Sequence, residues 1–272
     1  MKVFIFLLVS LISSGAFAKR FEVSIESIDH GKYGEPHLIM MSDGRVGFLD
    51  SGDKNSLGDV ELIKSTREIV EIELDDKHRV LSMRSVEHKK QLQPQTLESS
   101  EKIVSYGPTL ITLTKARTAF SLMRPDYQYD SQCYNRAHIW AYEEFQRTAL
   151  KSMKVFMFFT RRYIRNYSYH WWFHVTPAVL TSYGPRTLDR RYTTILHSLK
   201  SWSDRFVRSK RACPVVAKYK DYSLNQEMED CYHISVSMYF WQPRDIEYRD
   251  NNGYVKTSFI PWEINHSYWE AF

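Results

Sequence analysis

The sequence predicts an α+β protein in which a small, mainly-β N-terminal domain precedes a larger domain of mixed helices and strands. Three observations carry this reading. Between Phe21 and Met83 short segments alternate apolar and polar side chains, separated by turns rich in Gly and Asp. From Cys133 onward Ala137, Trp140, Ala141, Phe145 and Ala149 recur at helical spacing, and short apolar runs follow. The composition also steps. Residues 19–115 hold 14 Lys and Arg against 17 Asp and Glu, a net of −3, whereas residues 116–272 hold 22 against 15, a net of +7, together with all seven Trp and all three Cys. Two domains, 19–115 and 116–272, follow from that step. Their opposite charges favour docking of the N-terminal domain on the second.

Residues 1–18 read as a secretory signal peptide: Met1-Lys2, an apolar run from Val3 to Ile12, then small residues ending in Ala16-Phe17-Ala18. The run is too short to span a bilayer, and no later stretch reaches that length without charges. Export to the periplasm or beyond, without an integral membrane segment, is the expectation.

In the N-terminal domain, Phe21–Glu26 alternates as a half-buried strand should. His37–Met41 and Val46–Leu49 flank Ser42-Asp43-Gly44, a hairpin signal with Gly available for positive φ. Ile69–Leu74 and Val80–Met83 form a second hairpin across Asp75-Asp76-Lys77, and Thr109–Thr114 reads as a closing strand. Glu87 to Lys102 is polar and reads as linker.

In the second domain, Arg117–Met123 reads as a short helix stopped by Pro125. Cys133–Leu150 reads as a long helix with Asp130 or Ser131 as its N-cap. Val155–Phe159 has the near-continuous apolar run of a buried strand. Trp171–Val175 and Ala178–Ser182 read as two strands broken at Pro177, and Ser235–Trp241 as a late strand.

Three cysteines in an exported chain account most simply as one disulfide and one free thiol. Cys213 and Cys231 are near in sequence, and closing that loop contributes roughly 3 kcal/mol. Cys133 remains. At the first turn of a helix its thiolate is stabilised by unpaired backbone N–H groups and the helix dipole, and those groups suit an oxyanion. Downstream lie His174, in a Trp-rich strand, and Asp189. Cys, His and Asp in that order suit acyl transfer: a thiolate nucleophile, a histidine acid and base, and a carboxylate that orients the ring. His138, one turn into the helix, reads as a residue that packs or makes a structural hydrogen bond rather than a catalytic one. His170 and His174 share a strand face, but no second pair completes a metal site.

The blocks Cys133-Tyr134-Asn135-Arg136-Ala137-His138 and Trp171-Trp172-Phe173-His174-Val175-Thr176-Pro177 resemble the bacterial protein glutaminases, or protein-glutamine deamidases. The resemblance covers roughly residues 116–272. It implies a transglutaminase- or papain-like core with the active-site helix packed on an antiparallel sheet. It also implies deamidation of glutamine in proteins or peptides with release of ammonia, no cofactor, and an N-terminal inhibitory pro-segment. Carried over, the nucleophile is Cys133, the histidine His174 and the acid Asp189. Here Asp189 is followed by Arg190-Arg191 where the family usually has proline, which leaves Asp204 as the other candidate acid. Trp171 and Trp172 are then candidates to wall a slot for the carboxamide.

Two other readings fit the residues. A papain- or transglutaminase-like protease or crosslinking enzyme would use the same trio, and a non-catalytic exported binding module would bury Cys133 as a small hydrophobe. The basic, aromatic-interleaved Arg161–Tyr167 stretch is compatible with single-stranded nucleic acid. Export argues against such a partner.

Overall fold

The computed structural model describes residues 18–32, 34–66, 68–86, 106–128, 132–166, 171–207, 213–225, 228–253 and 255–272. All of the expected signal peptide but Ala18, the 87–102 stretch, the cap candidates Asp130 and Ser131, and His170 lie outside them. Among the described residues no helix is long and apolar enough to cross a membrane.

The chain forms two compact units, Met1–Ile39 with Gly47–Lys89 and Met40–Val46 with Lys90–Phe272. The first contains β1 (Lys19–Val23), β2 (Ile25–Asp29), the start of β3 (His37–Met41), most of β4 (Val46–Leu49), α1 (Lys54–Thr66), β5 (Val70–Leu74) and β6 (Val80–Ser85). Two three-stranded sheets result, β1-β5-β6 and β2-β3-β4. Both expected hairpins form, and Gly44 takes φ +92° in the turn of the first. Helix α1 has no counterpart among the elements expected from periodicity. Asp53 starts it, accepting from Ser56 N at 3.0 Å and Ser56 Oγ at 2.6 Å. Its Val60 joins Ile25, Ile39 and Leu49 in a buried cluster.

The second unit contains β7 (Leu110–Ile111), α2 (Leu113–Ser121), α3 (Cys133–Thr148), β8 (Met153–Phe159), α4 (Arg161–Asn166), β9 (Phe173–Thr181), β10 (Gly184–Thr187), α5 (Leu199–Ser203), β11 (Cys231–Ser237), α6 (Pro243–Asn252) and α7 (Pro261–Ala271). The sheet order is β10-β9-β8-β11, antiparallel throughout, with β7 added parallel to β9. Helix α3 packs on β9 and against α7. Its Trp140 and Ala141 enter a core with Phe120, Val179, Leu188 and Met238.

Three strand expectations shift. Thr109–Thr114 yields only the two residues of β7, which pair in this unit. The side chain of Thr112 accepts from Lys115 N at 3.2 Å and starts α2 instead. β9 runs unbroken through Pro177. β10 pairs only as far as Thr187 opposite Ala178, so the missing N–H of Pro177 falls just past the end of that ladder, while its carbonyl still accepts from Leu188 N at 2.9 Å. β11 starts earlier than Ser235–Trp241, because Cys231 pairs with Phe159 and Ser237 with Met153, where β8 begins.

Candidate functional site

Cys133 is the first residue of α3, behind Gln132 as N-cap. The thiol is half-buried and is the free cysteine among the described residues, since Cys213 and Cys231 form a disulfide. It lines a pocket of about 140 Å³ with Met123, Arg124, Tyr127, Arg136 and Asp189.

His174 comes from β9, paired with Met157 of the neighbouring β8. Its ring is buried, and Nε2 lies 2.7 Å from Asp189 Oδ2. A carboxylate only accepts, so Nε2 carries the proton and Nδ1 is left without a hydrogen-bond partner. Burial alone would lower the pKa of His174, but the Asp189 carboxylate, its hydrogen bond and the adjoining Cys133 thiol lift it to about 9. Trp171 stacks on one side of the ring at 5.6 Å, with Phe206 and Tyr192 at 4.9 and 5.2 Å.

Asp189 is buried just past the end of β10, and its Oδ2 also accepts from Trp202 Nε1 at 2.8 Å. Asp204, by contrast, closes α5 and pairs with Lys200 at 2.8 Å on the surface. Of the two candidate acids, Asp189 is therefore the one beside His174. Arg190, the next residue, donates to Ser121 O at 2.8 Å and to Met123 O, tying the end of α2 to this loop.

Trp171 and Trp172 differ in surroundings. Trp171 is half-buried against His174, whereas Trp172 is interior and its Nε1 donates to Met41 O at 2.8 Å. The Met40–Val46 segment lies along these residues: Trp172 N donates to Gly44 O at 3.0 Å, and Arg45 forms a bridge with Trp171. With its side-chain amide turned so that both ends are satisfied, Gln132 donates to Asp43 O at 2.9 Å and accepts from Arg45 Nη2 at 3.1 Å.

Behind Cys133 the helix is fixed by buried polar groups. Asn135 Oδ1 accepts from Trp241 Nε1 and Ser267 Oγ, each at 3.0 Å, and its Nδ2 donates to Glu270. His138 Nδ1 sits 2.6 Å from Lys154 Nζ, and His138 Nε2 faces Glu263 at 3.6 Å. Burial and the neighbouring Lys154 and Lys256 hold His138 well below the usual histidine range, so it is neutral and accepts at Nδ1. Among the described residues no group of three or more His, Cys, Asp or Glu is placed to hold a metal ion.

An α+β unit with cysteine, histidine and aspartate on one helix, one strand and one adjoining loop is thus the class of molecule defined. Residues 110–206, which include all three, match the family model described as Glutaminase. The fold is similar to that of the crystal structure of pro-protein-glutaminase, at 12% identity and a TM-score of 0.51 over 83% of this chain and 84% of that one. A mutant of pro-protein-glutaminase gives 11% identity and a TM-score of 0.52 over 83% and 85%. None of the curated proteins matches. The resemblance to protein glutaminases drawn from the two motif blocks holds, in the family match and in the fold.

Proposed function

We propose that this chain is an exported cysteine hydrolase, with a transglutaminase-like core, that converts glutamine side chains of proteins or peptides to glutamate. The observation that carries the reading is the arrangement of His174, whose Nε2 is held by Asp189 while Nδ1 is left for Cys133. In this mechanism the Cys133 thiolate attacks the carboxamide carbon, and backbone N–H groups at the start of α3 receive the developing oxyanion. His174 gives its Nδ1 proton to the departing nitrogen, which leaves as ammonia, and an acyl-thioester remains. Water then attacks the thioester as His174 Nδ1 takes its proton. Collapse releases glutamate and restores the thiolate. Asp189 keeps the ring in one tautomer, and Trp171 walls the slot, with Trp172 behind it. No step calls for a cofactor.

Residues 19–115 would act as an inhibitory pro-region. Supporting this is the contact of Met40–Val46 with Trp171 and Trp172, beside the strand that carries His174. Cleavage in the 87–102 stretch would relieve it. Product analysis tests the chemistry: the reading expects glutamate in place of glutamine together with free ammonia. New chain ends or isopeptide bonds would contradict it.

A further inference from the structure

Two histidines stand in one row of the sheet. His174 of β9 pairs with Met157 of β8, and Met157 pairs with His233 of β11, so the three side chains lie on one face. With neighbouring strands about 4.8 Å apart, the two histidines are separated by roughly 10 Å. The Trp202 indole fills the interval. Its centroid is 5.6 Å from the ring of His174 and 5.7 Å from that of His233, with planes at 32° and 29°. All three rings are buried.

Trp202 belongs to α5, a helix of five residues, which is too short to hold its side chains without tertiary support. Its indole N–H nevertheless meets Asp189 Oδ2 at 2.8 Å, on the oxygen that also receives His174 Nε2–H. His233 is fixed more firmly. Its N donates to Pro214 O at 2.8 Å and its carbonyl accepts from Val216 N at 2.9 Å, so at His233 the strand β11 is held by β8 on one side and by 214–216 on the other. The Cys213–Cys231 disulfide ties these two segments together. The ring itself brings no charge, because burial lowers its pKa to about 4 and leaves it neutral in neutral solution. Its Nε2 has no hydrogen-bond partner. What His233 presents to Trp202 is a flat, rigid face.

We propose that His233 is a positioning residue for the reaction: stacked against Trp202, it sets the angle at which the indole N–H reaches Asp189, and through Asp189 the orientation of the His174 ring. The path is continuous. His233 acts on Trp202 by ring contact, and Trp202 and His174 meet through hydrogen bonds to one carboxylate oxygen. That His174 then serves Cys133 in deamidation rests on the glutaminase reading, whereas its alignment by His233 does not.

The test uses three substitutions. His233→Leu and His233→Met remove the flat face but keep an apolar side chain, and His233→Phe keeps a ring. Ammonia release is measured after limited proteolysis and below the unfolding transition of each chain, with and without Trp202→Phe. Leu and Met should each lower kcat about tenfold with KM little changed, and Phe should stay within about twofold of the parent. Neither Leu nor Met should lower kcat further once Trp202→Phe is present, because both act through the same indole. NMR of the His174 ring nitrogens, assigned by their loss in His174→Gln, needs no turnover. A displaced Asp189 supports the charged ring less, so the His174 pKa of about 9 should fall in the Leu and Met chains and hold in the Phe chain. Unchanged kcat and pKa in Leu or Met, equal losses in all three chains, or a loss that adds to that of Trp202→Phe would overturn the proposal. The expected pKa shifts in a chain whose parent releases no ammonia would instead leave the positioning standing and remove the glutaminase reading.

Discussion

The Trp202 indole N–H donates at 2.8 Å to Asp189 Oδ2, the same oxygen that receives His174 Nε2–H at 2.7 Å. Asp189 is thus aimed by a residue that never meets the thiol. Trp202→Phe deletes the donor and keeps an aromatic, though smaller, side chain at this buried position. We expect kcat for glutamine deamidation to fall about tenfold, equivalent to about 1.4 kcal/mol, with KM little changed. A proportionate rise in KM would point to loss of packing instead.

The pKa of His174, lifted to about 9, sets an alkaline limit. In the proposed mechanism protonated His174 is the acid that expels ammonia, so kcat/KM should decline as pH rises through about 9. Asp189→Asn removes the charge that raises the ring, leaving burial to lower it, and should move this limb below the ordinary histidine value of about 6.5 while cutting kcat by about a thousandfold or more. The same shift has a sign for stability. Because the folded value lies above the unfolded one, the contribution is whole below about pH 6.5 and is lost as pH rises through about 9.

Two other histidines act in the opposite sense. Burial lowers His233 to about 4, and His138 is also held low. Both stay neutral when folded, so their stabilisation is complete above about pH 6.5 and lost as pH falls toward 4. The urea midpoint should drop between neutral and mildly acidic pH. His233→Phe, which also removes the unpartnered Nε2, should flatten that drop. An unchanged slope would contradict the assignment.

Asn135 is fully buried, and its amide serves Trp241, Ser267 and Glu270 together. Asn135→Ala removes the acceptor of the Trp241 and Ser267 donors, each loss costing about 1–3 kcal/mol before relaxation, while Glu270 keeps His266 at 3.1 Å. Thermal unfolding should show a Tm lowered by several degrees, and a Tm within a degree or so of the parent would contradict this role.

The long helix was legible because its apolar spacing is local, and Cys133 was legible because it stands where that pattern begins. His174 and Asp189 were legible as an ordered pair, but their contact is made by the β9–β10 turn and the loop after it, which no spacing rule specifies. Helix α1 escaped because its apolar positions sit among Gly58, Asp59 and Glu61, leaving a weak stripe behind an ordinary Asp53 cap. The partners Trp202 and Glu270, and the packing of Met40–Val46 beside Trp171 and Trp172, are long-range juxtapositions without a local signal; the Trp172–Met41 bond alone spans 131 positions.

The central claim is most directly tested by ammonia release from a glutamine-rich protein such as casein. The chain from residue 19 is compared before and after limited proteolysis, beside its Cys133→Ala counterpart. Release that appears or rises on proteolysis, and is abolished in Cys133→Ala while that variant keeps its thermal unfolding, is the result expected of a zymogen with Cys133 as nucleophile. Equal release by both chains, or none from either form alongside a Cys133 that resists alkylation, would contradict it.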